Sequence, residues 1–524
     1  MQIAVACDHA GFPLKALVLH TVEQQGHTVI DLGAYTNESV DYPDYALKLG
    51  QAIQDGRAQR GILLCGSGVG ASIAANKMPG IYAGVCHDTY SAHQGVEHDD
   101  MNVICLGARI IGPELVRELV IAFLSANFCA EERHVRRIGK VRLMEQRNML
   151  PPLQALSAIG QSPWYDNIER RLLQNGELAA MLKRGDIRGV TSNPSIFHNA
   201  IARSNDYDAV LVELAKDGLS AEQIYERLVI QDICDAADLF LPLYQQTQGG
   251  DGYVSLEVNP LLAYDTEQTV HEALRLWQSV AHPNLMIKVP ATKEGLPAIR
   301  RLIAAGLNVN VTLIFAIKRY LEVIDAYLMG LEDRLTTGQP VKSIASVASF
   351  FVSRLDSKAD AYLDGIAGQD VTKATQSASL KGKLAIANAR LAYQQFQEAF
   401  SSQRYLHLQA QGARLQRPLW ASTSTKNPLY TDTMYVDALV GPNTVNTMPP
   451  QTLAAFKDHG IAAVTVDQDL AAARKVFSDL EAVGISIATL TLELEVEGVK
   501  AFADAFQALI RAIEQRRLEA LQSK

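Results

Sequence analysis

The sequence predicts an α/β protein of two domains, a doubly wound, Rossmann-like parallel sheet followed by a (β/α)8 TIM barrel. Three observations support this prediction. The length of 524 residues exceeds the ~250 to 300 residues at which a single hydrophobic core usually stops growing. Short apolar runs alternate with amphipathic helical stretches along the chain, as they do in βα repeats. Pro151 and Pro152 interrupt a helical pattern, because consecutive prolines cannot continue a helix. We therefore expect domains at residues 1–148 and 149–524.

In the N-terminal domain, five apolar runs have the length of strands, and amphipathic stretches separate most of them. The predicted strands are Ile3–Cys7, Thr28–Asp31, Gly61–Cys65, Ile81–Cys86 and Asn102–Gly107, and the predicted helices are Pro13–Gln25, Tyr45–Asp55, Ala71–Lys77 and Gly112–Asn127. Strands that helices connect in this way form a parallel sheet. Ligands of such sheets bind at the carboxyl ends of the strands.

In the C-terminal domain, seven apolar runs recur with helical stretches between them. They are Gly189–Ser192, Tyr253–Val258, Leu285–Val289, Val309–Phe315, Ile344–Phe351, Pro418–Ser422 and Asp437–Gly441. A short element near Trp164–Ile168 brings the count to eight, the number in a TIM barrel. Ala462–Val466 is a further candidate, so the sequence allows eight or nine strands.

The composition is that of a soluble globular protein, with 48% hydrophobic and 20% charged residues. A net charge of −9 argues against general affinity for nucleic acid, so we expect local Arg and Lys clusters to hold any anionic substrate. The chain has neither a long apolar stretch nor an N-terminal signal pattern, and its six cysteines are scattered without C-x-x-C spacing. We expect a cytoplasmic enzyme without a membrane partner.

Lys288 lies in the middle of an apolar run, Leu285-Met286-Ile287-Lys288-Val289-Pro290. Desolvation disfavours the ammonium, so a lysine inside a buried strand tends towards the free amine that attacks carbonyl groups. The alternative is a lysine that extends out of the strand end into water. Polar residues in neighbouring strand runs favour the first interpretation. They are Glu257, Asn193, Asn310 and Thr312.

Several separated motifs in the barrel region resemble the transaldolase family over nearly all of residues 153–524. They are Gly160-Gln161-Ser162-Pro163-Trp164-Tyr165-Asp166-Asn167, Val190-Thr191-Ser192-Asn193-Pro194-Ser195, Leu256-Glu257-Val258, Ile287-Lys288-Val289-Pro290-Ala291-Thr292, Asn310-Val311-Thr312-Leu313-Ile314-Phe315 and Ser349-Phe350-Phe351-Val352-Ser353-Arg354. The resemblance implies transfer of a dihydroxyacetone unit from a ketose phosphate to an aldose phosphate, as between sedoheptulose 7-phosphate and glyceraldehyde 3-phosphate.

The resemblance also implies a role for each polar residue. Lys288 would form a Schiff base with the ketone, Asp166 would take the proton of the C4 hydroxyl, and Glu257 would move protons through a water that Thr312 positions. The remaining residues would bind the substrate: Asn193, Asn310 and Ser349 the dihydroxyacetone unit, and Arg354 and Lys426 the phosphate. Many transaldolases carry an arginine where Lys426 stands. Fructose-6-phosphate aldolases carry a glutamine in place of Glu257, so a transferase is favoured.

In the N-terminal domain, a glycine-rich loop follows the third predicted strand. Gly66, Gly68 and Ala71 fit the G-x-G-x-x-[GA] pattern, and Asp88 follows the next strand, so a nicotinamide site is one interpretation. The loop does not follow the first strand, however, and Cys65 stands immediately before it. Both features favour a different chemistry.

With Cys65 included, residues 1–148 resemble the type B ribose-5-phosphate isomerases. The matching segments are Cys7-Asp8-His9-Ala10-Gly11, Asp41-Tyr42-Pro43, Cys65-Gly66-Ser67-Gly68-Val69-Gly70, Ala74-Ala75-Asn76-Lys77, His98-Asp99-Asp100-Met101-Asn102-Val103 and Gly107-Ala108-Arg109. The resemblance implies that the Cys65 thiolate carries a proton between C2 and C1. The amides of Gly66, Ser67, Gly68, Val69 and Gly70 would then stabilise the enediolate oxygen.

The same resemblance assigns the remaining residues of this domain. His98 would open the furanose ring with help from Asp8, and Tyr42 and Asp99 would line the sugar site. The phosphate would be held by His9, Arg109, Arg133 and Arg137. In the family the last two arginines reach the partner's active site, which implies a homodimer or a higher oligomer. Asp99 stands where the family usually has asparagine, and a carboxylate there should weaken phosphate binding.

The leading hypothesis is a bifunctional enzyme of the non-oxidative pentose phosphate pathway that uses neither a metal nor an organic cofactor. Three alternatives remain open from the sequence. The N-terminal domain could be a catalytically weak dimerisation module for a transaldolase. It could bind a nicotinamide cofactor on its glycine loop. It could isomerise another sugar phosphate, because allose and galactose 6-phosphate isomerases share much of the pattern.

Overall fold

The computed structural model describes residues 1–522, apart from the side chains of residues 143, 146–149 and 371. The chain divides into two compact units, Met1–Met149 and Leu150–Lys524. Within residues 1–522, no helix is both long enough and apolar enough to cross a membrane.

The N-terminal unit is a five-stranded parallel sheet in the order β2-β1-β3-β5-β4. Its strands are β1 (Gln2–Cys7), β2 (Thr28–Asp31), β3 (Arg60–Cys65), β4 (Ala83–Val85) and β5 (Val103–Gly107). Its helices are α1 (Phe12–Gln24), α2 (Tyr42–Gln54), α3 (Val69–Ala75), α4 (Thr89–Asp99), α5 (Pro113–Ser125) and α6 (Glu132–Met149).

Both faces of this sheet are buried, as in a doubly wound fold. Apolar side chains of α1, α4 and α5 form a core on one face, and those of α2 and α3 form a core on the other. The predicted Rossmann-like architecture is confirmed. The helix α4 was not predicted, because Thr89–Asp99 is rich in polar residues and buries only Ala92 and Val96.

The C-terminal unit contains seven named strands in one parallel sheet, in the order β6-β12-β11-β10-β9-β8-β7. They are β6 (Gln161–Tyr165), β7 (Val254–Glu257), β8 (Leu285–Pro290), β9 (Val309–Ile314), β10 (Ser346–Phe351), β11 (Arg417–Ala421) and β12 (Thr444–Met448). Val190 bridges to Tyr165 on one side and to Val254 on the other, so it occupies the eighth position and closes the sheet. The (β/α)8 barrel prediction is therefore confirmed.

Helices surround the barrel. They are α7 (Pro152–Ile159), α8 (Arg170–Gln174), α9 (Glu177–Arg184), α10 (Pro194–Ala202), α11 (Asp208–Lys216), α12 (Ala221–Gln246), α13 (Thr266–Val280), α14 (Gly295–Ala305), α15 (Ile317–Thr336), α16 (Ser353–Gln369), α17 (Ala374–Leu380), α18 (Leu384–Ala399), α19 (Gln403–Ala410), α20 (Met434–Asp437), α21 (Pro450–His459), α22 (Leu470–Val483) and α23 (Ile487–Gln522). Two short 3₁₀ helices lie at Pro260–Leu262 and Val371–Lys373.

Two predicted strands of the barrel are wrong. Asp437–Gly441 begins at the end of α20 and continues without strand structure, and Ala462–Val466 forms neither a strand nor a helix. The last strand is instead β12, which no hydrophobic pattern marks because Thr444, Asn446 and Thr447 interrupt its apolar residues. These polar side chains are buried, as expected where a barrel strand reaches a polar site.

The strand predicted at Gly189–Ser192 is reduced to a single bridging residue, Val190. A Cβ atom at position 189 would lie 2.6 Å from the Trp164 ring, so only glycine allows this close approach of backbone and indole. Asn193 follows shortly afterwards and begins α10. The chain therefore leaves the barrel wall almost as soon as it enters it.

Candidate active sites

Lys288 lies in the barrel interior near the carboxyl end of β8, and its side chain is almost fully buried. Its Nζ donates a hydrogen bond to the carbonyl oxygen of Ser192 at 2.9 Å. The same atom lies 3.1 Å from Oε2 of Glu257, on the neighbouring strand β7. Strand pairing places the two residues directly opposite each other. The amine is thus held in place while one carboxylate stays close enough to exchange a proton with it.

A cavity of about 270 Å³ opens above Lys288 at the carboxyl ends of the barrel strands. Seven of the nine barrel residues predicted from sequence border it, namely Asp166, Asn193, Lys288, Thr312, Ser349, Arg354 and Lys426. The other two, Glu257 and Asn310, are buried in contact with members of this group. The carboxyl ends of the strands are where TIM barrels carry their active sites.

Asp166 follows β6 and is oriented by a hydroxyl group. Oγ1 of Thr191 donates to Oδ1 of Asp166 at 2.6 Å, and Thr447 lies 2.6 Å from the same hydroxyl. Burial raises the pKa of Asp166, whereas the charge of Lys288 and the hydrogen bond from Thr191 oppose that rise. A carboxyl group held in this way is suited to accept and return a proton at neutral pH.

Glu257 is as deeply buried as Lys288. Burial raises the pKa of Glu257, and the ammonium of Lys288 opposes the rise. Oγ1 of Thr312, on β9, is buried and makes no hydrogen bond to any of residues 1–522. A hydroxyl group that borders the cavity with free hydrogen-bonding capacity is suited to hold a water molecule or a substrate oxygen.

Asn310 and Ser349 form a hydrogen-bonded layer across three strands. Ser349 donates to Oδ1 of Asn310 at 2.7 Å, and Nδ2 of Asn310 donates to the Ser255 hydroxyl at 3.0 Å. The backbone beside this layer is irregular. Leu313 has a positive φ of 60°, and the register between β9 and β10 shifts between Ala348 and Phe350. Such irregularities re-aim side chains and are frequent next to active sites.

Two cations lie at the rim of the cavity. Arg354 begins the helix after β10 and stacks on the Phe351 ring with its guanidinium carbon 5.3 Å from the centroid. Lys426 follows β11 and donates to the Ser424 hydroxyl at 2.7 Å. Burial lowers the pKa of Arg354 and the charge of Asp166 opposes this. For Lys426, desolvation and then the charge of Arg354 lower the pKa. Two cations that border one cavity favour the binding of an anion there.

Asn193 caps helix α10. Its side-chain oxygen accepts a hydrogen bond from the Ile196 amide at 3.0 Å, and the residue also borders the cavity. Asn193 therefore combines a structural role with a position in the site.

Phe502 is a site residue that sequence reasoning missed. It lies on α23, more than two hundred residues after Lys288, and its ring centroid is 5.8 Å from Nζ of Lys288. Four other residues border the cavity although the sequence predicted no role for them. They are Phe351, Thr191, Thr447 and Gln451. Thr191 and Phe351 lie inside motifs that the sequence analysis used, whereas no local pattern marks Phe502.

In the N-terminal unit, Cys65 ends β3 and its side chain is buried. The Gly68 amide donates to Sγ of Cys65 at 3.1 Å. Gly68 itself has a positive φ of 82° and begins α3, so the turn requires glycine. A donor this close stabilises negative charge on the sulfur. Burial raises the pKa of the neighbouring thiols Cys7 and Cys86 to about 11, which keeps both protonated at neutral pH.

Further predicted residues lie at the same carboxyl edge of the sheet. Asp8 follows β1 and accepts the Gly11 amide at 2.9 Å, while Nδ1 of His9 accepts the Val40 amide at 3.3 Å. The Tyr42 ring packs against Gly70, and the Arg109 side chain packs against Gly66. The structure therefore brings Asp8, His9, Tyr42, Arg109 and the loop from Gly66 to Gly70 around Cys65.

His98 lies elsewhere. Because β4 and β5 are parallel, α4 must run from the carboxyl edge back to the amino edge, and His98 is near its end. Asn102, which follows α4, accepts the Tyr82 amide at 2.8 Å just before β4 begins. Roughly 13 Å of strand separates the two edges. Within one chain, His98 and Cys65 therefore belong to opposite edges of the sheet.

The second group of predicted residues gathers around His98. Its ring stacks on His134 of α6 with centroids 4.2 Å apart. Arg133 and Arg137 are exposed on the same helix, and Arg133 is paired with Glu131 at 2.9 Å. Arg137 and Asp99 border one cavity of about 480 Å³ beside β4. The sequence placed all of these residues in one site, but the fold divides them into two clusters.

The glycine loop and its surroundings show little that would select a dinucleotide. Both oxygens of Asp88 already accept hydrogen bonds from the amide and hydroxyl of Ser91, at 2.7 and 2.9 Å. Among the described residues, no three His, Cys, Asp or Glu side chains are grouped as metal ligands.

Comparison with known proteins identifies the barrel. Residues 163–513 match the model of the transaldolase/fructose-6-phosphate aldolase family. The chain belongs to this family. It is 46% identical over 369 residues to a transaldolase from Trichodesmium erythraeum and 48% identical over 366 residues to one from Thermobifida fusca. Each alignment covers 70% of this chain, and it covers 97% and 98% of the two relatives.

The N-terminal unit matches a second family. Residues 3–141 fit the ribose/galactose isomerase model, so the chain is a fusion of the two families. Similar solved structures include ribose-5-phosphate isomerase B from Clostridium thermocellum, with 43% identity and a TM-score of 0.28, covering 28% of this chain and 99% of that one. The type B enzyme from Trypanosoma brucei is 42% identical with a TM-score of 0.27, over 28% of this chain and 98% of that one.

Proposed function

We propose that the barrel is a transaldolase that transfers dihydroxyacetone through a Schiff base on Lys288. The observation that carries the proposal is the buried amine of Lys288, 3.1 Å from a buried carboxylate, at the base of a cavity with two cations at its rim. The donor and acceptor pair would be sedoheptulose 7-phosphate and glyceraldehyde 3-phosphate, giving erythrose 4-phosphate and fructose 6-phosphate.

Each step has a suitably placed group. The Lys288 amine attacks the C2 carbonyl, and Glu257 supplies the proton that converts the departing hydroxyl into water. The protonated imine then accepts the electron pair of the C3–C4 bond while Asp166 takes the proton of the C4 hydroxyl. Asn193, Asn310 and Ser349 hold the remaining hydroxyl groups, and Arg354 with Lys426 holds the terminal phosphate. Glu257, rather than glutamine, favours transfer over simple aldol cleavage.

Borohydride trapping tests this proposal. Reduction in the presence of fructose 6-phosphate should attach one C3 or C6 unit to Lys288, because only the protonated imine is reduced. Peptide mass spectrometry locates the adduct. An adduct on another lysine, or none at all, would contradict the barrel mechanism.

We propose that the N-terminal unit isomerises ribose 5-phosphate and ribulose 5-phosphate, with Cys65 as the base. Its site would be built from two chains of a dimer. One chain supplies Cys65, Asp8, His9, Tyr42, Arg109 and the glycine loop. The other supplies His98, Asp99, Arg133 and Arg137. The placement of the two groups at opposite edges of one sheet supports this division, because a single chain cannot bring them together.

Spectrophotometric detection of ribulose 5-phosphate formed from ribose 5-phosphate tests the activity. Parallel assays with allose 6-phosphate and galactose 6-phosphate distinguish the other substrates of this isomerase family. Turnover of none of the three would favour a dimerisation module, and tight binding of NADH would favour the nicotinamide interpretation.

A further inference from the structure

A second cavity, of about 200 Å³, lies outside the barrel wall beside β7. It is bordered by one face each of α12 and α13, by Phe506 of α23, and by Glu257. Lys288 borders the substrate cavity, and Glu257 borders the second one. The ion pair between them thus joins one lining residue of each cavity.

Formation of the imine makes this position important. The amine and the ketone combine, the C2–O bond breaks with a proton from Glu257, and one water molecule leaves for every imine formed. Hydrolysis consumes one water molecule and returns the proton. During both steps a sugar phosphate held by Arg354 and Lys426 occupies the cavity above Lys288. Water that had to pass through that opening would compete with the substrate for it.

The lining of the second cavity suits water and protons but not the substrate. Glu222, Glu226 and Glu272 add three carboxylates to that of Glu257, against the single cation Arg275. A phosphate dianion is repelled by this lining. At the outer side, Arg275 joins α12 to α13, because it donates to Glu226 at 2.5 Å and to Glu272 at 2.9 Å.

Aromatic side chains of α23 lie along both cavities. Phe502 borders the substrate cavity, and Phe506, one turn later, borders the second one. Phe506 packs edge-on against Tyr225 of α12 with ring centroids 5.3 Å apart. The helix therefore lines both cavities, with a different phenylalanine in each.

We propose that the second cavity is a separate water and proton entrance to Glu257, which stays open while substrate fills the barrel mouth. The proposal rests on the Schiff-base function proposed above. It predicts that filling the cavity slows water exchange at the imine without weakening substrate binding.

The test uses the full chain with Ile230→Trp, which places a large ring in the second cavity from a half-buried position on α12. Ile317→Trp is the matched control, because Ile317 is also half-buried and borders an unrelated cavity of about 470 Å³. Each imine cycle exchanges the C2 oxygen of fructose 6-phosphate with solvent. Mass spectrometry after incubation in H₂¹⁸O therefore measures the number of imine cycles. The exchange that occurs without enzyme is subtracted.

We expect Ile230→Trp to slow ¹⁸O exchange at least tenfold while KM for fructose 6-phosphate changes less than twofold. Ile317→Trp should exchange at the wild-type rate. Equal exchange in both variants would overturn the proposal. Failure of the Schiff-base function itself would look different, because the wild-type enzyme would then show neither ¹⁸O exchange nor a trapped adduct on Lys288.

A reversible version of the experiment keeps the test valid if the Ile230→Trp variant misfolds. Ile230→Cys can be treated with benzyl methanethiosulfonate and restored with dithiothreitol, and Ile317→Cys and the unmodified sequence receive the same treatment. If labelling of the Ile230→Cys variant stops ¹⁸O exchange and dithiothreitol restores the exchange, the result would support the proposed water entrance. Unchanged exchange after complete labelling of the thiol introduced on α12 would refute it.

Discussion

The two units use the carboxyl edge of a parallel sheet in different ways. The barrel sheet closes on itself, so residues from eight consecutive strand ends surround Lys288 within one chain. The N-terminal sheet stays open, and α4 carries His98 away from Cys65 to the opposite edge. Closure therefore makes a site self-contained, whereas an open sheet gathers ligands at one edge and leaves residues at the other for a second chain.

The strongest test of this contrast is Lys288→Ala. Loss of the covalent nucleophile should lower transaldolase kcat at least about 10⁴-fold, the scale on which such groups act. Isomerase activity of the same chain should be unchanged, and Lys318→Ala, at an exposed lysine, should change neither activity. Coupled assays of both reactions measure the outcome. A parallel loss of isomerase activity would mean that the units depend on each other.

The second test mixes inactive chains of the N-terminal unit. Cys65→Ser should lower isomerase activity about 10²- to 10⁴-fold, because a neutral serine is a poor base. Arg137→Ala should also inactivate the site. After random exchange of subunits, half of the dimers contain one chain of each variant. One of the two sites in such a dimer is intact, so roughly a quarter of the wild-type activity should return.

The matched control for that experiment mixes His98→Asn with Arg137→Ala. Both residues belong to the same cluster beside α6, so neither mixed site regains a complete set. Recovery in the first mixture and none in the second would support a site shared between chains. Equal recovery of activity in both mixtures would contradict the division of the site between the two sheet edges. So would a lack of recovery in both mixtures, once mixed dimers are shown to form.

The sequence predicted both architectures, and seven of its nine candidate residues in the barrel border the cavity above Lys288. Polar side chains inside apolar strand runs mark these positions because they have few structural explanations. Prediction from the sequence failed at a strand whose buried side chains are polar. Thr444–Met448 carries buried polar groups and so lacks the hydrophobic signal of a strand. Phe502 comes near Lys288 only through the tertiary packing of α23. The separation of His98 from Cys65 depends on the direction of α4, a helix that the sequence pattern did not predict.

A third prediction concerns the C-terminal unit alone. Asp356 of α16 is buried and accepts the Ala385 amide at 2.8 Å and the Tyr435 hydroxyl at 2.9 Å. Burial raises its pKa from 3.8 to about 7. The folded state therefore keeps a proton that the unfolded chain releases between these values. Stability should fall as pH rises through this window, by up to about 1.4 kcal/mol per pH unit, and then level off.

Asp356→Asn should remove this slope, because the amide stays neutral while its oxygen still accepts the Ala385 amide. Urea unfolding of the barrel from pH 5 to 8 measures the difference between variant and wild type. Asp364→Asn, at a carboxylate exposed on the same helix, is the control and should keep the wild-type slope. Identical slopes in all three proteins would show that Asp356 is ionised throughout. Unfolding of the N-terminal unit should not respond to either substitution.

The smallest expected effect belongs to Asp99, which ends α4 and shares a cavity with Arg137. In the proposed composite site its carboxylate approaches a sugar phosphate that the partner holds, so like charges repel. Asp99→Asn should lower KM for ribose 5-phosphate by up to roughly fivefold, the range of exposed charge interactions, and leave kcat nearly unchanged. The effect should shrink in high salt, because mobile ions screen exposed charges. Asp100→Asn is the matched control, since the Asp100 carboxylate already forms an ion pair with Arg142 at 2.7 Å. A KM that responds equally to both substitutions would place the repulsion in the general charge of the surface rather than in contact with the substrate.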